Sequence, residues 1–221
     1  MLDAMDVDES NFVASAGNVM GEFQRTQVIP EVDAFRYSKI AALAKGASHK
    51  TATFTPDKTN VLEKLDDEIA KVQDIVGEGE PLVIIMATSI RTILNNAKDI
   101  TKYLDTADFK AGAITNKLKT YNEIPILSVP SARMKTAYVF NDGKTAGQEK
   151  GGCKPDTAAK GINWIIIARR APIAVSKTDK IRIFEPNVNQ KADAWKLDYR
   201  KFHDLWIPTN KLAGVWVNTG A

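Results

Sequence analysis

A chain of 221 residues that is 44% hydrophobic can bury one large core or two modest ones. No apolar run approaches the roughly 18 residues of a membrane span, the acidic N-terminus lacks the pattern of a secretory leader, and the single cysteine, Cys153, rules out an internal disulfide. The net charge of +3 is too small to argue for nucleic-acid binding, yet residues 1–80 are net −7 and residues 81–221 net +10. Two solvated surfaces would give that split, and so would acidic and basic faces that meet between neighbouring copies.

Residues 9–45 read as one long helix. Apolar side chains recur at Phe12, Ala16, Val19, Met20 and Phe23, then at Val28, Val32, Phe35 and Ile40, mostly three or four apart, as an apolar stripe requires. Such a helix would span about 55 Å. Asp6, Asp8, Glu9 and Ser10 suit its start. The spacing slips to five between Phe23 and Val28 and Pro30 follows, so a kink is expected near residues 26–30. Gly46 is a plausible stop.

After a polar loop, Pro56 and Asp57 open a second helix, with Val61, Leu62, Leu65, Ile69, Val72, Ile75 and Val76 on one face. The opposite face, Glu63, Lys64, Asp66, Asp67, Glu68 and Lys71, reads as solvated; three consecutive acids on a helix point to different sides and do not make a metal site. Residues 82–86, 124–129 and 163–168 are strands, the first and third apolar enough to be buried on both faces, and a short helix follows the first. Residues 98–123 read as short helical pieces mixed with turns, without a resolvable order, and residues 141–161 as a long surface loop. The remainder alternates like antiparallel sheet: Ile173 and Val175, a turn at residues 177–180, Ile181 and Ile183, then Trp195, Leu197 and Tyr199, with a closing strand over residues 212–217.

Chemistry is sparse. His49 and His203 are far apart in the chain and lack a Cys/His/carboxylate cluster, so no zinc site is expected. Cys153 has no evident base. No P-loop, Rossmann fingerprint, G-x-S-x-G or H-E-x-x-H occurs. No enzyme activity, metal, cofactor or small-molecule substrate is expected. A ligand-binding α/β enzyme built on the three central strands is the alternative from another class, and it would need a convergent polar site at the strand ends.

Three blocks of sequence point further. The first runs from Asp3, Met5, Asp6 and Glu9 to Pro30, Glu31, Asp33, Phe35, Arg36, Ser38 and Lys39. The second is Val129-Pro130-Ser131 with Arg133-Met134-Lys135-Thr136-Ala137-Tyr138, and the third spans residues 171–217. In this order they resemble tailed-phage and prophage major capsid proteins of the HK97-like fold. The resemblance implies an α+β fold with a peripheral domain (residues 1–55 and 170–208: spine helix and antiparallel strands) and an axial domain (residues 56–169 and 209–221: helix-flanked central sheet).

It also implies a structural subunit that self-assembles into pentamers and hexamers of an icosahedral shell in the bacterial host cytoplasm. Its partners would be copies of itself, with packaged double-stranded DNA touched only weakly and non-specifically, and no membrane. An encapsulin-type compartment shell is the alternative within the fold. Asp6, Asp8, Glu9, Glu22, Arg25, Glu31, Arg36, Arg133 and Lys135 are the expected intersubunit contacts. Family members carry an extended arm and a long hairpin, the E-loop, ahead of this point, so this chain is expected to assemble poorly by itself.

Overall fold

The long apolar stripe is helical from Ala16 to Gly46, in three pieces. In the computed structural model, which describes residues 1–9, 15–97, 104–111 and 114–220, α1 is Ala4–Glu9, α2 is Ala16–Phe23 and α3 is Ile29–Gly46. Between α2 and α3, Gln24–Val28 form a π-helical turn. The five-residue slip from Phe23 to Val28 therefore belongs to a turn with i→i+5 hydrogen bonding, seen where Ile29 N–H donates to the Gln24 carbonyl. The expected kink position is a π-turn, with Pro30 placed just beyond it. The expected start is corrected. Asp6, Asp8 and Glu9 lie on the separate α1, and Ser15 caps the long helix, its hydroxyl accepting from Asn18 N–H at 3.3 Å. Ser10 and Phe12 lie outside the described residues.

The structure is mixed α+β with several sheets, and it divides into two units. The first comprises residues 1–33 and 174–205, the second residues 34–173 and 206–221. The first cut thus falls inside α3 rather than at residue 55. The C-terminal part of α3 buries Ala34, Ile40, Ala41 and Ala44, and Phe35 meets Phe140 edge-on at 5.9 Å within the second unit.

In the first unit a short β1 (Leu2–Asp3) pairs antiparallel with β11 (Ala194–Trp206), which also borders β10 (Ile173–Phe184). The turn expected at residues 177–180 is instead continuous strand. Asp179 is held across the ribbon: Tyr199 Oη–H donates to Oδ1 at 2.7 Å and Lys201 Nζ pairs with Oδ2 at 2.6 Å. Those partners keep the polar residues of β10 paired rather than turning.

The second unit centres on a seven-stranded sheet. Its order is β2 (Lys50–Thr51), β12 (Val215–Thr219), β9 (Ile162–Ala168), β3 (Leu82–Ala87), β6 (Ile124–Val129), β5 (Ile114–Tyr121) and β4 (Leu104–Ala111). The short helical pieces expected over residues 98–123 are corrected: β4 and β5 pair there as antiparallel strands. Strands β3 and β6 run parallel; β9 is antiparallel to both β3 and β12. All residues of β3 and β9 are buried, as their unbroken apolar runs require. Helix α4 (Val61–Val76) buries Val61, Leu65, Ile69 and Val72, and α5 (Thr88–Asn95) follows β3. A two-stranded ladder, β7 (Tyr138–Phe140) with β8 (Cys153–Pro155), frames the surface loop.

Helix α4 ends at Gly77, whose φ of 85° and ψ of 151° suit only glycine. Gly77→Ala should cost about 1–3 kcal/mol, read as a lower urea midpoint at unchanged slope. The opposite face of α4 is only partly solvated. Asp67 pairs with Lys64 and Lys71 at 3.0 and 2.8 Å, and Lys71 first and Lys64 second hold its carboxyl below the ordinary range. Glu68, expected on that face, is fully buried.

That burial is matched by hydrogen bonds. The indole N–H of Trp164 donates to Glu68 Oε2 and the Asn218 amide to Oε1, each at 2.7 Å. Asn163 Nδ2 donates to Asn218 Oδ1 at 2.8 Å and to the Phe54 carbonyl at 2.9 Å. The chain of bonds is fixed at both ends, because an indole only donates and a carbonyl only accepts. Asn163 and Asn218 can point only one way, and both Glu68 oxygens must accept. The β12–β9 register places Asn218 opposite Trp164 and Thr219 opposite Ile162, so Asn163 is the extra residue of a bulge and its amide reaches the same cluster.

Candidate functional site

Antiparallel pairing puts alternate side chains of β10 and β11 on opposite faces of a ribbon. One face carries Asp179, Tyr199 and Lys201, and Phe23 of α2 meets the Tyr199 ring edge-on at 6.1 Å. Val175, Ile181 and Ile183 alternate onto that same face of β10, the outermost strand of the three, and remain 39%, 45% and 45% exposed. The other face is basic. Lys180, Arg182, Lys196 and Arg200 surround Asp198, which pairs with Arg182 at 3.0 Å and Lys196 at 4.0 Å. Lys196 and Arg182 lie over the Phe184 ring at 5.3 and 5.8 Å, and Arg200 lies over Phe202 at 5.9 Å.

Of the nine expected contact residues, Asp6, Asp8, Glu9, Glu22, Arg25 and Glu31 belong to the first unit and Arg36, Arg133 and Lys135 to the second. Asp6, Asp8 and Glu9 are exposed around the buried Val7 of α1. Glu22 and Arg25 clasp one another in two bonds of 3.0 and 2.6 Å; each is held ionised by the other, the carboxyl shifted down and the guanidinium up. Glu31 is half-buried beside a cavity of about 190 Å³ that Phe23, Tyr199 and His203 also line. Arg36 belongs to the second unit and is half-buried, its Nε enclosed without a hydrogen-bond partner. Arg133 ends a 3₁₀ turn, Ser131–Arg133, and Lys135 bridges to Gly161.

His49 is an internal prop, its Nδ1 2.9 Å from the Leu212 carbonyl and its ring stacked 6.1 Å from Trp216. Among the described residues no three His, Cys, Asp or Glu side chains gather in a way that could hold a metal ion, and no helix is long and apolar enough to cross a membrane. The alternation of Ile181 and Ile183 is legible in the sequence, but not that these two side chains stay exposed while Tyr199 on the same face meets Phe23; that depends on β10 being the edge strand.

The fold has a phage counterpart. A chain from Mycobacterium phage Che8 aligns with a TM-score of 0.53 and 13% identity, over 98% of this chain and 67% of that one. No protein-family model matches the chain, and no curated protein sequence does.

One residue of the second sequence block has a measurable signature. The Tyr138 hydroxyl donates to the Ala132 carbonyl at 2.7 Å. Burial of the ring pushes its pKa up to about 12, with the Lys135 backbone N–H opposing only in part. The folded state therefore favours the neutral phenol. Its contribution to stability is complete below pH 10 and is lost as pH rises through about 12. In a 295 nm titration, Tyr138→Phe should remove one tyrosine's worth of the absorbance that rises near pH 12, the remainder including Tyr199, whose hydroxyl is also pushed upward by burial and by Asp179.

Proposed function

We propose that this chain is a structural subunit of a tailed-phage or prophage capsid with the HK97-like architecture. It works by assembly rather than catalysis. The first unit serves as the peripheral domain and the second as the axial domain of a shell that encloses double-stranded DNA. The observation that carries this reading is the fold likeness to a phage chain along 98% of the sequence, joined to three sequence blocks that resemble phage and prophage major capsid proteins. The ribbon supports it as well. A long edge strand with three half-exposed β-branched side chains on one face is a liability in a solitary protein and an asset in one whose copies cover one another.

The test is molar mass by light scattering across a concentration series. Association is expected to be weak, toward rings of five or six 24.3 kDa chains at the highest concentrations, and megadalton particles from this chain alone would contradict the poor assembly expected of it. A chain that stays monomeric from micromolar to millimolar concentration would overturn the proposal. Particles isolated from the host should contain DNA; particles filled with protein cargo would transfer the reading to a compartment shell.

A further inference from the structure

The second unit holds a cavity that plays no part in the assembly reading. It measures about 220 Å³ and is lined by Lys45, Lys50, Lys160, Thr136 and Thr219 between small apolar side chains. Lys45 lies in the last turn of α3, Lys50 on β2 and Lys160 just before β9. Two stretches remote in sequence, residues 45–50 and residue 160, thus bring three lysines to the lining of one opening. A fourth stands nearby: Lys135 Nζ lies 3.9 Å from where a Cβ on Gly161 would sit, next to Lys160.

No carboxylate lines the cavity. Among the described residues, none of these four lysines makes a salt bridge. Nor is Lys45 occupied in neutralising the end of α3. The carbonyls of Leu43, Ala44 and Lys45 already accept from the backbone N–H groups of Ala47, His49 and Ser48, at 3.1, 2.9 and 3.2 Å. Like charges around so small a space repel, and an anion between them would relieve that repulsion.

The hydroxyls add to the preference. Thr136 Oγ1 accepts from the Lys160 N–H at 2.9 Å, which leaves its proton to donate. Thr219 spends its proton on the Thr51 carbonyl at 3.2 Å. The lining therefore offers ammonium and hydroxyl donors to a ligand with several acceptor oxygens and negative charge. Its volume is below the ~300 Å³ at which pockets begin to hold drug-sized molecules, leaving no room for a sugar and base.

We propose that this cavity binds a phosphate group, either as free inorganic phosphate or at the end of a small ester. Saturable stabilisation is the readout. Thermal unfolding of the full chain is followed against inorganic phosphate, with chloride holding ionic strength constant. Phosphate stabilises most proteins in a graded way by exclusion from their surface, and that part is common to wild type and variants. Wild type should show an added, saturating rise in Tm, half-complete at low-millimolar phosphate.

In Lys50→Gln/Lys160→Gln that saturating part should weaken about tenfold. Lys45→Gln, at an exposed helix end, provides a second variant should the double one fold poorly, with a loss of about threefold. Identical curves in wild type and folded variants, or a wild-type response without saturation, would overturn the proposal. A single-stranded oligonucleotide with hydroxyl ends supplies only backbone phosphates. If it alone produced the saturating response, the small-ligand site would be overturned in favour of nucleic acid.

Discussion

Glu68→Ala should destabilise the protein by about 3–5 kcal/mol, the largest effect expected of any single exposed-to-solvent-looking position in the sequence. The cost has two sources. Truncation leaves the Trp164 indole and the Asn218 amide without the acceptors that each reaches at 2.7 Å, and it opens a void in a fully buried site. Glu68→Gln keeps the volume but turns an NH₂ toward one of two donors. Neither amide neighbour can flip to rescue it, because the Phe54 carbonyl fixes Asn163 and Asn163 fixes Asn218. A smaller loss of about 1–3 kcal/mol is expected for Gln. Urea unfolding followed by tryptophan fluorescence measures both. A Gln variant as stable as wild type would show that the hydrogen-bond polarity has been misassigned.

Ile181→Glu/Ile183→Glu is expected to abolish self-association while leaving the fold intact. Both side chains are 45% exposed in the free chain, so the substitutions should cost the monomer no more than about 1 kcal/mol. Two charges placed on a face that a second copy covers must be desolvated when it docks. Apolar anchors of such surfaces contribute about 2 kcal/mol or more each, so association should weaken by at least about 30-fold. Light scattering at matched concentration, with circular dichroism as the fold control, gives the answer. Unchanged association would place the contact between copies away from this face.

The parts of the fold that were legible in the sequence were those fixed by local pattern. The apolar runs of β3 and β9 and the stripe of α4 all follow from periodicity and backbone preference. The slip between Phe23 and Val28 was visible too, although a spacing of five marks a π-turn as readily as a kink. What stayed hidden depends on partners distant in the chain. Residues 177–180 looked like a turn because Lys177, Thr178, Asp179 and Lys180 are polar; Tyr199 and Lys201, some twenty positions on, hold them in a strand. Glu68 looked solvated because its acceptors' partners lie 96 and 150 residues away. The candidate surface divides in the same way: alternation announced two faces, while the sheet order put Ile181 and Ile183 on the edge strand, where they stay exposed.

The bonds around Glu68 also set a timetable for synthesis. Residues 54, 68, 163, 164 and 218 must all be present before the Glu68 side chain is satisfied, and β9, already flanked by β3, lacks its second neighbour until β12 has been made. The strands at residues 174–205, which belong to the other unit, leave the ribosome in between. The seven-stranded sheet therefore cannot close progressively from its N-terminal end, as many domains do. Nascent chains stalled before residue 215 should remain open to protease across α4 and β3, and protection should arrive in one step as the final strand emerges.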